Sequence, residues 1–224
     1  NIDGYEIKIG RTKKCGIDAC DFDVILENDH HYHEHEHQHH DHNSHDHNNH
    51  DHKHHAHHHD HNHTHSGHNH HNHDHRNIID IYKIIDESEI SDRAKHISKK
   101  VFDVVAKAES KAHGVELHEV HFHEVGAVDS IVDIVAVAVC IDNLNIDDVI
   151  ISELYEGSGH VRCQHGIIPV PVPAVTNIIV DNSLPIRITS IRGEMVTPTG
   201  AAIAAALKTR DSLPESYRIK KIGI

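Results

Sequence analysis

HFHEVGAVDSIVD, residues His121 to Asp133, is the stretch whose reading decides the fold, because it sets two histidines, two aspartates and a glutamate against an otherwise apolar run. That is the composition of a metal site. Read as extended from Leu117 to Val125, the segment alternates its side chains. His121 and His123 then share one face, and Phe122 and Glu124 take the other. Gly126 breaks the strand, and Asp129 to Leu144 reads as a helix on which Asp129 and Asp133 lie one turn apart. From Ile131 to Ile141 every residue except Asp133 is apolar, so the helix is expected to be buried. It falls short of the ~20 apolar residues that span a bilayer, so its burial belongs to a protein core. An ionised carboxylate in such a place is costly unless a cation or several donors meet it. Imidazole with carboxylate suits divalent metals such as nickel or zinc. Two readings of Asp133 stay open: a metal or catalytic group, or a helix-margin aspartate that caps a loop or pairs with arginine.

Working outward, Tyr5 to Gly10 and Phe22 to Leu26 read as two strands of a hairpin or meander, with Cys15 and Cys20 in or beside their connection. The spacing of those cysteines is not CxxC, so they read as turn residues rather than a metal pair. Ile78, Ile79, Ile81, Ile84 and Ile85 recur at helical spacing. Ser91 and Asp92 then offer an N-cap to a longer helix, with a stripe from Ala94 to Ala112 and Gly114 closing it. Glu109 and His113 share a face near its end, either as a surface pair, the default for such spacing, or as a metal ligand or a support to one.

Val149 to Leu154 reads as a strand. Cys163 and His165, two apart, would share a face on an extended backbone, and a thiolate beside an imidazole suits nickel or zinc; a core cysteine with a surface histidine fits equally. Pro169, Pro171 and Pro173 force an extended segment, after which a helix from Ala174 to Val180 can start. Thr197 is a good N-cap, Pro198 fits the first helical position, and Ala201 to Lys208 is strongly helical. With the expected turn at Gly157, Ser158 and Gly159, the helix start at Thr197, Thr199 and Gly200 forms a candidate anion-binding or substrate-binding set. These elements predict an α/β or α+β fold, a mixed sheet with packed helices, interrupted by an insert.

The insert is a histidine tract. His30 to His75 holds 25 of the 32 histidines, with only Tyr32 and Ala56 as apolar relief, so it has nothing to bury and is expected to be disordered. Neutral imidazoles bind nickel, copper, zinc or cobalt, and a flexible chain can gather several on one ion. His30, His31, His33, His35, His37, His39, His40, His57, His58, His59, His70 and His71 are therefore candidate metal-storage residues. Storage or delivery competes with drift of a repetitive run in a tolerant loop. The expected organisation is a small β segment at 1–28, the insert at 29–75 and an α/β core at 76–224.

The formal net charge is -14, and no basic stripe exists for nucleic acid. Four cysteines at irregular spacings, with no apolar signal segment, predict a reduced, cytoplasmic setting and no membrane role. Cys140 reads as a small core hydrophobe. A start at Asn1 and an end inside the strand-like run YRIKKIGI predict a fragment, and a homo-oligomer stays open.

At AESKAHG (Ala108–Gly114), HFHEVGAVDSIVDI (His121–Ile134), GSGHVRCQHGIIPVPVPA (Gly157–Ala174) and GEMVTPTGAA (Gly193–Ala202), the chain resembles the LarC-type nickel insertion proteins. The resemblance runs in order from Asp74 to the end, and the first two strands and the His-rich insert also follow the family's arrangement. It implies a CTP-dependent cyclometallase, lyase-type. The substrate would be pyridinium-bisthiocarboxylic acid mononucleotide, which gains carbon-nickel and sulfur-nickel bonds to become the pincer cofactor of lactate racemase. His121, His123, Glu124, Asp129, Asp133, Cys163, His165 and Thr197 to Gly200 match the family's motifs. By ligand chemistry His121, His123, Asp129, Asp133, Cys163 and His165 are the candidate metal ligands, and Glu124 or Asp133 is the candidate base for the ring proton. The implied partners are other proteins of the pincer pathway or the receiving racemase. CTP and its divalent metal are expected in a C-terminal domain that, like the family's first strand, lies outside the chain. Two other classes compete: a nickel or zinc storage protein or metallochaperone without catalysis, and a regulatory nucleotide-binding module.

Overall fold

The computed structural model describes residues 4–26, 76–120, 122, 128–163 and 165–223. Contacts divide the chain into one unit of residues 1–29 and 73–224 and another of residues 30–72, and every described residue falls in the first. The expected mixed α/β architecture is the one observed, with two small sheets and five α-helices among the described residues.

Strands β1 (Tyr5–Lys14) and β2 (Ile17–Leu26) pair antiparallel through a two-residue turn, Cys15-Gly16, both with positive φ. Such a turn matches the natural twist of a hairpin. Cys15 is the turn residue expected, whereas Cys20 lies within β2 opposite Arg11.

Helix α1 (Ile78–Glu87) starts at Asn77, whose side chain accepts from Ile79 and Asp80 N–H while Asp80 reaches back, a reciprocal cap. Helix α2 (Asp92–His113) is capped by Ser91 and ends on Gly114 in the left-handed conformation, as its sequence pattern predicts. Its buried residues Val101, Phe102, Val105 and Ala106 form the centre of the core. Around α2 pack helices α3 (Val128–Asn143), α4 (Pro173–Asn182) and α5 (Pro198–Leu207). The second sheet has the order β4-β3-β5, from β3 (Leu154–Cys163), β4 (Gly166–Val170) and β5 (Ile186–Arg192). β3 and β4 form an antiparallel hairpin, and α4 carries the chain across to β5, parallel to β3. Pro169 is tolerated because β4 is an edge strand.

Several expectations are corrected. Leu117–Glu119 is a single 3₁₀ turn, closed by the Glu119 carboxylate on the Glu116 N–H, and Phe122 makes only an isolated bridge to Arg76. The strand expected at Val149 starts at Leu154; Val149 instead bonds to Thr209. Gly157, Ser158 and Gly159 lie inside β3 rather than in a turn. Gly157 is needed there because a Cβ would stand 1.9 Å from the Gly193 carbonyl oxygen. The segment Tyr217–Ile222 forms no strand, and its large apolar residues are exposed. Helix α3 is only half buried: Ile131, Val132, Ile134 and Ala138 face the core, while Asp133 and Cys140 are exposed. A uniformly apolar sequence hid this split, because hydrophobicity alone cannot say which face meets a neighbour. Asp133 is thus not the buried charge expected.

Candidate functional site

Two cavities flank the start of α5. The smaller, about 240 Å³, lies between the last turn of α2 and the β3–β4 hairpin, and is lined by Glu109, His113, Cys163, His165, Glu194 and Pro198 over apolar walls. Glu109 and His113 are one helical turn apart, and their Oε2 and Nε2 atoms are 3.4 Å apart. The hairpin turns tightly, with Cys163 opposite Gly166 at a positive φ. Cys163 Sγ and His165 Nδ1 come to 3.8 Å, and the His165 ring centre lies 4.9 Å from that of His113. The pair expected from the sequence is therefore brought together, by a hairpin turn rather than by strand alternation. Among the described residues, no three His, Cys, Asp or Glu side chains already stand in metal-binding geometry.

The larger cavity, about 800 Å³, is lined by the outer face of α3 with Asp133, Val137 and Cys140, by Cys20 and Phe22 of β2, and by Thr197–Gly200 and Ile203 of α5. Desolvation by its surroundings, and then the nearby charge of Asp129, raise the Asp133 carboxyl above the ordinary range. Asp129 and Asp133 thus act on each other as helical spacing predicts. Thr197 Oγ1 accepts from the Gly200 N–H at 3.2 Å, the expected cap. Gly157, Ser158 and Gly159 are not among the described residues lining either cavity. Ser158 Oγ instead donates to the Ile191 carbonyl.

Glu194 and Pro198 line both cavities. The segment that carries them is fastened to β3 by Glu156, which is 0% exposed and accepts at Oε1 from the N–H groups of Gly157 at 2.7 Å, Met195 at 2.7 Å and Val196 at 3.2 Å. Its Oε2 has no hydrogen-bond partner among the described residues. Neither Glu156 nor Glu194 stands out in the sequence, since both owe their place to strand pairing across more than thirty residues. His121, His123, Glu124 and Gly126 lie outside the described residues, as do the tract histidines from His30 to His71. No helix among the described residues is long and apolar enough to cross a membrane.

Residues 1–224 match the family model described as nickel insertion protein. A relative from Alkaliphilus metalliredigens, named pyridinium-3,5-bisthiocarboxylic acid mononucleotide nickel insertion protein, is 62% identical over 227 residues, covering 100% of this chain and 47% of its own. A protein of the same name from Clostridium acetobutylicum is 50% identical over 218 residues, 97% of this chain and 49% of its own. One from Acetivibrio thermocellus is 44% identical over 148 residues, 66% of this chain and 36% of its own. The chain spans about half the length of the first two relatives, or less than that for the third. No solved structure matches.

Proposed function

We propose for this chain, which belongs to the nickel insertion protein family, that it inserts nickel into pyridinium-bisthiocarboxylic acid mononucleotide as a lyase-type cyclometallase. One observation carries the reading: a small cavity with thiol and imidazole groups and a large one with a carboxyl of raised pKa share Glu194 and Pro198 in their walls. Nickel, as substrate, is held through Cys163 and His165 and through His121 and His123, which lie outside the described residues, with Asp129 or Asp133 completing the approach. A site of mixed imidazole, thiolate and carboxylate surrenders its ion to a thiocarboxylate more readily than four closed thiolates would. The larger cavity, of the size that takes a small ligand, receives the mononucleotide. Its phosphate is directed to the start of α5 at Thr197, Thr199 and Gly200.

In the chemical step the ring carbon loses its proton as the carbon-nickel bond forms, and nickel stays divalent. Asp133 takes that proton, helped by a pKa shifted towards neutrality, with Glu124 as the alternative base. In this reading CTP and its divalent metal would bind within the half of the relatives' length that this chain does not match. The histidine tract stores nickel or delivers it. Other pincer-pathway proteins or a receiving racemase would take the product.

The test joins the chain to the unmatched half of the Alkaliphilus relative and follows the product's nickel-dependent absorption with substrate, nickel and CTP. Asp133→Asn should lower the insertion rate about a hundredfold or more, with the fold kept by circular dichroism. An unchanged rate removes Asp133 as the base. Nickel binding with no product in the parent protein favours the storage or chaperone reading, which rests on the tract's composition.

A further inference from the structure

We infer that His113 is the third ligand, beside Cys163 and His165, of one divalent-metal site in the smaller cavity, and that Glu109 is the positioning residue that orients its ring. The inference rests on the reading above that Cys163 and His165 handle metal, and extends it to a helix that the reading leaves out. Three separations carry it. Cys163 Sγ and His165 Nδ1 are 3.8 Å apart, close to the about 3.5 Å that two ligands span on one tetrahedral ion with bonds of ~2.3 and ~2.0 Å. The His113 and His165 ring centres are 4.9 Å apart, and two imidazoles bound to one such ion put their centres at about 5 Å. His113 Nε2 lies 3.4 Å from Glu109 Oε2, the carboxylate–histidine arrangement that fixes the ring of a metal-bound imidazole.

With Nε2 turned to Glu109, Nδ1 is the ring nitrogen assigned to the ion. The Glu109 side chain is only 18% exposed, which distinguishes it from an ordinary surface partner. Val161, Ile168 and Val172 give the cavity apolar walls, while His113 and His165 are exposed, so an ion can reach them from solvent. One thiolate and two imidazoles select a borderline ion such as nickel or zinc over magnesium or calcium. Since no three groups among the described residues already meet a common point, the ion draws the rings in by side-chain rotation.

The full chain can be used, because the histidine tract contains no cysteine and cannot give a thiolate-to-nickel charge-transfer band. Nickel is titrated against a competing chelator while that band is followed. The band is expected in the parent and lost in Cys163→Ser, which separates it from Cys15, Cys20 and Cys140. A parent without a Cys163-dependent band overturns the metal role of Cys163 itself, and this inference with it. With the band present, His113→Ala should raise the nickel concentration at half-saturation more than tenfold, and Glu109→Gln about tenfold. Neither change should move the thermal transition measured without nickel. Unchanged half-saturation in His113→Ala overturns the inference while leaving the Cys163 reading intact. Should His113→Ala fold poorly, Glu109→Gln decides: unchanged affinity there overturns the proposed arrangement.

Discussion

Replacing Glu156 by alanine should cost about 4 kcal/mol of stability and loosen the segment that carries Glu194. The carboxylate accepts three backbone N–H groups at one oxygen, from Gly157, Met195 and Val196. Gly157 and Val196 are buried, so truncation orphans two donors that water reaches poorly, at about 1–3 kcal/mol each. Met195 is exposed, and water replaces its lost partner at little cost. Two buried donors at the middle of that range give the figure, a large fraction of the 5–15 kcal/mol that ordinarily holds a domain together. Glu156→Gln keeps an acceptor oxygen and should cost less than the alanine change. Urea unfolding gives the stability difference, and amide hydrogen exchange reports whether Met195 and Val196 lose protection. An alanine variant with the parent's midpoint and protection at both amides would refute the argument that Glu156 fastens this segment.

Gly157→Ala places a Cβ 1.9 Å from the Gly193 oxygen and 3.0 Å from the Ile191 oxygen, so β3 and the end of β5 must part by about 1 Å. A loss of about 3 kcal/mol is expected in urea unfolding, with weakening of the bond from Gly193 N–H to the Ser158 carbonyl. Asp133→Asn should also change stability with pH. A raised native pKa means that the folded chain holds the proton more tightly than the unfolded one, so stability present at low pH is lost as pH rises through the native value. The asparagine variant should therefore be the more stable at neutral pH and match the parent as pH falls to the ordinary carboxylate value of ~3.9, checked by thermal melts across that window. Deleting His30 to Asp74 should lower the number of bound nickel ions severalfold while leaving cooperative unfolding, measured by calorimetry and circular dichroism. Tract binding should fall between about pH 7 and pH 5, as imidazoles with pKa near ~6.5 take up protons.

The sequence by itself determined what local chemistry controls. Asn77, Ser91 and Thr197 announce helix starts because their side chains satisfy N–H groups two or three residues away, and Gly114 ends α2 because it alone accepts the left-handed turn cheaply. The pairing of Cys163 with His165, and the shared face of Asp129 and Asp133, were legible for the same reason: each pair lies within one turn of chain. The motifs also carried the family resemblance, which the family match bears out. Tertiary structure alone decided which face of α3 is buried, since an almost uniformly apolar helix carries no sign of where its neighbours stand. It alone placed Glu156 beneath Met195 and Val196, gave Gly157 its reason, and set the α2 pair Glu109–His113 beside the β3–β4 hairpin. Those relations join residues more than thirty apart, and no periodicity in a sequence records distances that only strand pairing and the packing of α2 against α3, α4 and α5 create.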